Sequence, residues 1–200
     1  MKKNNNFNTL IIVLHEIYGL NQHMKTVCEK FSMDGYDIIC PNLIDQKQPF
    51  NYDLQEEAYI HFKNNIGFDL GVQQVKYLLK QSKKQYRHVF LLGYSIGATI
   101  AWICSSEENM CDGIVGYYGS RIRDYMNITP ECPALLIFPN EEKSFNVTDL
   151  AASLKKQNID VHILRGKHGF SDPYSKNYCL QASQEAQKVV DDFLKKLIGY

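Results

Sequence analysis

The chain has 200 residues, 22 basic against 22 acidic, and is 44% hydrophobic and 22% charged. That length and apolar share suit one globular domain with a sizeable core. The neutral balance leaves no electrostatic footprint for nucleic acid or an anionic membrane.

"MKKNNNFN" at the start does not read as a signal peptide, and the apolar run after it, "TLIIVL", is far short of the ~20 residues that cross a bilayer. The cysteines at 28, 40, 104, 111, 132 and 179 show no C-x-x-C spacing. They are expected to be reduced core residues of a cytoplasmic protein, with no zinc site, no other metal and no cofactor. The sequons at Asn127 and Asn146 then carry no meaning.

Residues 1–8 are expected to be irregular and 9–200 to form a single domain. A strand is expected at 9–14, "TLIIVL", and a helix at 22–33 after the turn "HEIYGLN", whose Asn21 suits a helix cap. A strand at 36–40 follows. Residues 46–66 fit no strand and only a weak helix, so they read as a connection with a short helix. A helix is expected at 67–82, ending in the basic run 80–88, "KQSKKQYRH", which reads as a solvated helix end. Next come a strand at 88–93 and a helix at 96–105, apolar all round and therefore central. Strands at 113–118, 134–138 and 160–164 alternate with a helix at 147–157. In the last helix, 184–198, Ala186, Val189, Val190, Phe193, Leu194 and Leu197 form one buried stripe. Near-continuous apolar strands alternating with helices predict a mostly parallel α/β sheet covered on both faces.

Gly93-Tyr94-Ser95-Ile96-Gly97 is G-x-S-x-G at the junction of an expected strand and helix, the setting of a serine nucleophile on a sharp turn. In such hydrolases an acid and then a histidine follow along the chain. His88 begins the serine's own strand and His162 lies within another. His168, in "GKHGFSD", falls at a strand's C-terminal end, where catalytic groups of open α/β sheets gather. For the acid, Glu141 and Glu142 in "PNEEKSF" lead, with Asp149 and Asp160 weaker. An oxyanion hole takes one N–H from the residue after the nucleophile, Ile96, and another from an earlier strand-to-loop turn, here within 13–21.

Together these segments resemble the dienelactone hydrolase family. "HEIYGLN" (15–21) is similar to the family's "x-E-I-[FY]-G-[VL]-N", "DGYDIICPNL" (34–43) to its "GY-x-x-x-x-PDL" and "GYSIGA" (93–98) to its nucleophile turn. "VGYYGS" (115–120) resembles "GYYG", and "PALLIFPNEEKSF" and "KHGFSDP" fall where the family carries its acid and histidine. The resemblance covers roughly residues 9–198. It implies a compact α/β-hydrolase fold, with Ser95 as nucleophile, His168 as base, Glu142 as acid, and Ile17 and Ile96 as oxyanion donors. Glu16 matches a carboxylate that contacts the resting nucleophile.

Three departures stand out: serine replaces the usual cysteine, glutamate replaces the usual aspartate, and the family's carboxylate-binding arginines have no counterpart. Arginine occurs only at 87, 121, 123 and 165. The leading expectation is a serine hydrolase of a small ester, thioester or lactone. The alternative is a non-catalytic protein on the same fold that binds a ligand or partner. A nucleotide binder is disfavoured, because no G-x-G-x-x-G follows the first strand.

Overall fold

A computed structural model describes residues 8–157 and 159–199. The expected irregular stretch 1–8 thus lies outside the described residues, except for Asn8. Six strands form one sheet: β1 (Thr9–Leu14), β2 (Asp37–Ile39), β3 (His88–Tyr94), β4 (Gly113–Tyr117), β5 (Ala134–Glu141) and β6 (Asp160–Lys167). Every pairing is parallel, in the order β2-β1-β3-β4-β5-β6. The helices are α1 (Gln22–Met33), α2 (Gln55–His61), α3 (Gly67–Ser82), α4 (Ile96–Cys104), α5 (Val147–Lys156) and α6 (Leu180–Ile198).

The strand order reverses once. The chain steps outward from β1 to β2, then crosses back to set β3 on the other side of β1. At such a reversal the connections leave in opposite directions and open a crevice beyond the strands' C-terminal ends. The segment 15–17 and Ser95 directly follow those ends of β1 and β3.

Side-chain alternation along the strands builds two cores. Ile11, Val13, Phe90, Leu92, Leu135 and Ile137 pack with residues of α1 and α6. Leu10, Ile12, Val89, Leu91, Leu136 and Phe138 pack with residues of α3, α4 and α5. The sheet is therefore covered on both faces, as the apolar strands predict. α4 is the most enclosed helix: Ile100, Ala101, Trp102 and Cys104 have no exposure.

The segment 46–66 is more helical than expected. A 3₁₀ turn (Tyr52–Leu54), α2 and a π turn (Phe62–Ile66) lead directly into α3. Within 52–66 only Ala58 and Phe62 are buried, too few to draw an apolar stripe in the sequence. α6 begins at Leu180, four residues early, and β5 and β6 each run three residues past their apolar cores. A bulge between Pro139 and Glu141 interrupts the last pairing. All six cysteines are free; Cys104 and Cys111 are buried, whereas the other four are half-buried rather than core residues.

Candidate active site

The glycines of G-x-S-x-G are dictated by backbone crowding. A Cβ on Gly93 would lie 2.3 Å from the Gly97 carbonyl oxygen. One on Gly97 would lie 2.3 Å from the Leu14 carbonyl oxygen and 2.8 Å from that of His15. Without them, the start of α4 presses onto the end of β1. Ser95, between the two glycines, has φ 53° and ψ −110°, a left-handed backbone that strains any L-residue bearing a Cβ. Its N–H donates to the Tyr117 carbonyl at 2.9 Å, and its carbonyl accepts from Thr99 N–H at 3.2 Å. The turn lifts the hydroxyl toward the crevice.

Three sequence-predicted residues meet there. Ser95 Oγ lies 2.9 Å from His168 Nε2, and Glu142 Oε1 lies 2.7 Å from His168 Nδ1. An ionised carboxylate only accepts, so the ring proton sits on Nδ1 and Nε2 accepts from the serine. Burial depresses the His168 pKa, but the hydrogen bond and charge of Glu142, with the charge of Glu16, outweigh it and raise the value above the ordinary one. The bulge in β5 delivers Glu142 to the ring. Glu142's side chain is only 7% exposed, while Glu141's is 62% exposed and faces Lys167. The weaker acid candidates lie elsewhere: Asp149 is exposed on α5, and Asp160 pairs with His162 at 3.1 Å.

Ile17 and Ile96 share a small apolar cluster with Ile44 and Phe62. Among the described residues, neither of their backbone N–H groups finds a hydrogen-bond acceptor. Glu16 is buried, and burial raises its pKa to about 7, against the charge of His168 and a hydrogen bond from Tyr118.

The sequence reading missed the polar cluster around Glu16. The Tyr118 hydroxyl donates to Glu16 at 2.9 Å and lies 3.0 Å from Ser171 Oγ, and its ring packs 4.9 Å from that of His168. Tyr118 holds φ 41°, a second strained backbone beside the serine. Asp172 accepts from the Tyr52 hydroxyl at 2.5 Å, and His23 Nδ1 lies 3.6 Å from Asp172 and 3.9 Å from Glu16. "VGYYGS" carries Tyr118 and "HGFSDP" carries Ser171 and Asp172, but nothing in their spacing shows that they converge on Glu16.

The parallel sheet with its single reversal, and the strained serine turn between β3 and α4, define an α/β hydrolase. The same architecture is found in a Klebsiella pneumoniae protein provisionally classed as a dienelactone hydrolase (TM-score 0.76, 17% identity, 96% of this chain and 87% of that one). It recurs in a metagenomic dienelactone hydrolase-like promiscuous phosphotriesterase (TM-score 0.75, 14% identity, 94% and 86%). The dienelactone hydrolase family model matches residues 2–198, and the chain belongs to that family of hydrolases acting on ester and lactone bonds. The Bacillus subtilis (strain 168) uncharacterized protein YczH is 39% identical over 169 residues, 83% of this chain and 82% of that one. The carboxymethylenebutenolidase of Pseudomonas putida is 25% identical over 203 residues, 94% and 86%.

Proposed function

We propose that this hydrolase is a serine esterase that cleaves a small, uncharged ester, thioester or lactone through an acyl-enzyme. The observation that carries the reading is the unbroken line of hydrogen bonds from Glu142 through His168 to Ser95. His168 Nε2 takes the hydroxyl proton as Ser95 Oγ attacks the carbonyl carbon, and Glu142 stabilises the imidazolium that results. The N–H groups of Ile17 and Ile96 receive the oxyanion. The proton on Nε2 passes to the leaving oxygen or sulfur as the tetrahedral intermediate collapses. A water then gives its proton to His168 and attacks the acyl-serine, which releases the acid and restores Ser95. No metal or cofactor enters these steps.

The arginines support an uncharged substrate. Arg121 donates to the Tyr59 hydroxyl and Asp124, and Arg123 donates to the Ser120 carbonyl and stacks on Phe145. Both guanidiniums are therefore already engaged. Among the described residues no helix is long and apolar enough to cross a membrane. The free cysteines suit a reducing compartment, and the reading places the enzyme in the cytoplasm with small molecules as its partners.

A panel of p-nitrophenyl esters, thioesters and lactones, with and without a free carboxylate, tests the reading. Neutral members are expected to turn over best, and Ser95→Ala to abolish turnover and fluorophosphonate labelling. Residual activity above ~1% of wild type would remove Ser95 from the nucleophile's role, since losing a triad member commonly costs ~10⁴-fold or more. If the wild type neither turns over any of the panel nor takes the label, a non-catalytic binding protein on the same fold becomes the better reading.

A further inference from the structure

His15 follows directly on β1 and is fully buried. Both its ring nitrogens face backbone. Leu43 N–H lies 2.9 Å from Nε2, and the Glu16 carbonyl oxygen lies 2.6 Å from Nδ1. A backbone N–H only donates and a carbonyl only accepts, so the tautomer is fixed: Nε2 carries the lone pair and Nδ1–H donates to Glu16. Burial holds the ring neutral by lowering its pKa to about 4. A second donor, Gly19 N–H, reaches the same carbonyl at 3.2 Å.

The carbonyl that His15 grips belongs to the Glu16–Ile17 peptide. A trans peptide is planar, with its C=O and N–H pointing in opposite directions. Fixing the Glu16 oxygen therefore fixes the aim of the Ile17 N–H. The other side of the ring ties this peptide to Leu43. The neighbouring Ile44 packs with Ile17 and Ile96, and its side chain sits 2.8 Å from where a Cβ on Gly19 would be.

We infer that His15 is a positioning residue of the oxyanion hole, clamping the Glu16–Ile17 peptide so that the Ile17 N–H stays aimed at the developing oxyanion. The inference rests on the reading of this chain as a serine hydrolase. His15 touches no reacting atom, and it acts through the peptide that it holds.

Two substitutions separate the ring's two contacts. His15→Asn can place an amide N–H near the position of Nδ1, keeping the donor to Glu16 while losing the acceptor for Leu43. His15→Gln can reach Leu43 with its amide oxygen but leaves the Glu16 carbonyl without its side-chain donor. On a small neutral p-nitrophenyl ester, kcat is expected to fall ten- to a hundred-fold in His15→Gln with little change in KM, since misaiming a catalytic group by ~1 Å can cost ~10²-fold. His15→Asn should stay within a few fold of wild type.

The affinity of a trifluoromethyl ketone, which forms an oxyanion on a serine, should track kcat across both variants. A merely structural role would lower the Tm and the activity of both together and would not single out this ligand. Equal losses in the two variants, or unchanged ketone affinity in His15→Gln, overturns the inference. Should a variant fail to fold, ¹⁵N NMR of the wild type decides: a His15 Nδ1–H tautomer and a ketone-induced shift of the Ile17 amide are expected, and absence of either overturns it. Ser95→Ala separates the layers. Activity retained there sinks the hydrolase reading, whereas an inert Ser95→Ala with unaffected His15 variants sinks only the role of His15.

Discussion

At Glu142 a single residue of register decides the chemistry. Neighbouring side chains on extended chain point to opposite sides, and only Glu142 reaches the His168 ring, while Glu141 stands in solvent beside Lys167. Glu142→Gln keeps the shape and removes the charge that steadies the imidazolium, so kcat should fall by roughly 10²- to 10⁴-fold. Glu141→Gln should stay within a few fold, and the reverse outcome on one good ester would exchange their roles. Glu16 invites a different experiment. Its carboxyl is about half protonated near pH 7, and its ionised form helps raise the pKa of His168. Glu16→Gln imitates the protonated form. It should leave the plateau rate nearly intact and move the acid limb of kcat/KM to lower pH, because His168 then loses its proton more easily. A collapse of the plateau would instead make Glu16 a participant in proton transfer. Ser95, His168 and the glutamate pair were legible because each sits in a local motif at the end of an apolar strand. Tyr118, His23 and Asp172 were not. They converge on Glu16 through the fold, from segments about 100 and 150 residues apart in the case of Tyr118 and Asp172, and no local pattern encodes such a meeting.

Among the elements, the start of α4 meets the end of β1 backbone to backbone, and Gly97 marks that joint. Gly97→Ala would set a methyl 2.3 Å from the Leu14 carbonyl oxygen and 2.6 Å from its carbon. Those are backbone atoms of a central strand and cannot swing aside. Overpacking of this kind costs about 1–3 kcal/mol and occasionally more. The helix start must shift, and with it Ser95 and the Ile96 N–H. Urea unfolding should show a loss of at least ~2 kcal/mol, and the folded fraction should turn over at least tenfold more slowly. A variant of wild-type stability and rate would mean that the joint is looser than this packing. The strands and helices flanking this joint were readable because burial on both faces writes itself as continuous apolar sequence. The helical stretch from 52 to 82 was only half readable. Its first part lies on the surface with two buried side chains, and it passes through a π turn before α3. The ends of β5 and β6 escaped for a related reason: their last residues are largely exposed and polar, yet the ladder continues to Glu141 and Lys167.

For the whole molecule, buried titratable groups around the site tie stability to pH. His15 and His23 have pKa values lowered to about 4, in both cases chiefly by burial. Each contributes stability that is complete above the unfolded value of about 6.5 and is lost as the pH falls toward the folded value. Glu16, raised to about 7 by burial, works in the opposite direction: its contribution is complete below about 4.5 and is lost as the pH rises toward 7. His168, raised above its ordinary value, contributes stability that is complete below about 6.5 and is lost only as the pH rises beyond it, so it adds no slope under pH 6.5. Between pH 4.5 and 6.5 these buried groups therefore leave the unfolded chain with one more proton than the folded one, two from the histidines against one from Glu16. One net proton corresponds to about 1.4 kcal/mol per pH unit, so acidification across this window should cost roughly 3 kcal/mol. Glu16→Gln removes the opposing group, and the slope should roughly double. His15→Asn removes one histidine, and its slope should be close to flat. Urea midpoints at half-unit intervals, converted with a common m-value, give all three slopes. If Glu16→Gln leaves the slope unchanged, Glu16 is ionised throughout the window. The charge at its position would then have to be balanced by a proton held elsewhere in the cluster, with His23, whose Nδ1 faces both Glu16 and Asp172, the residue placed to hold it.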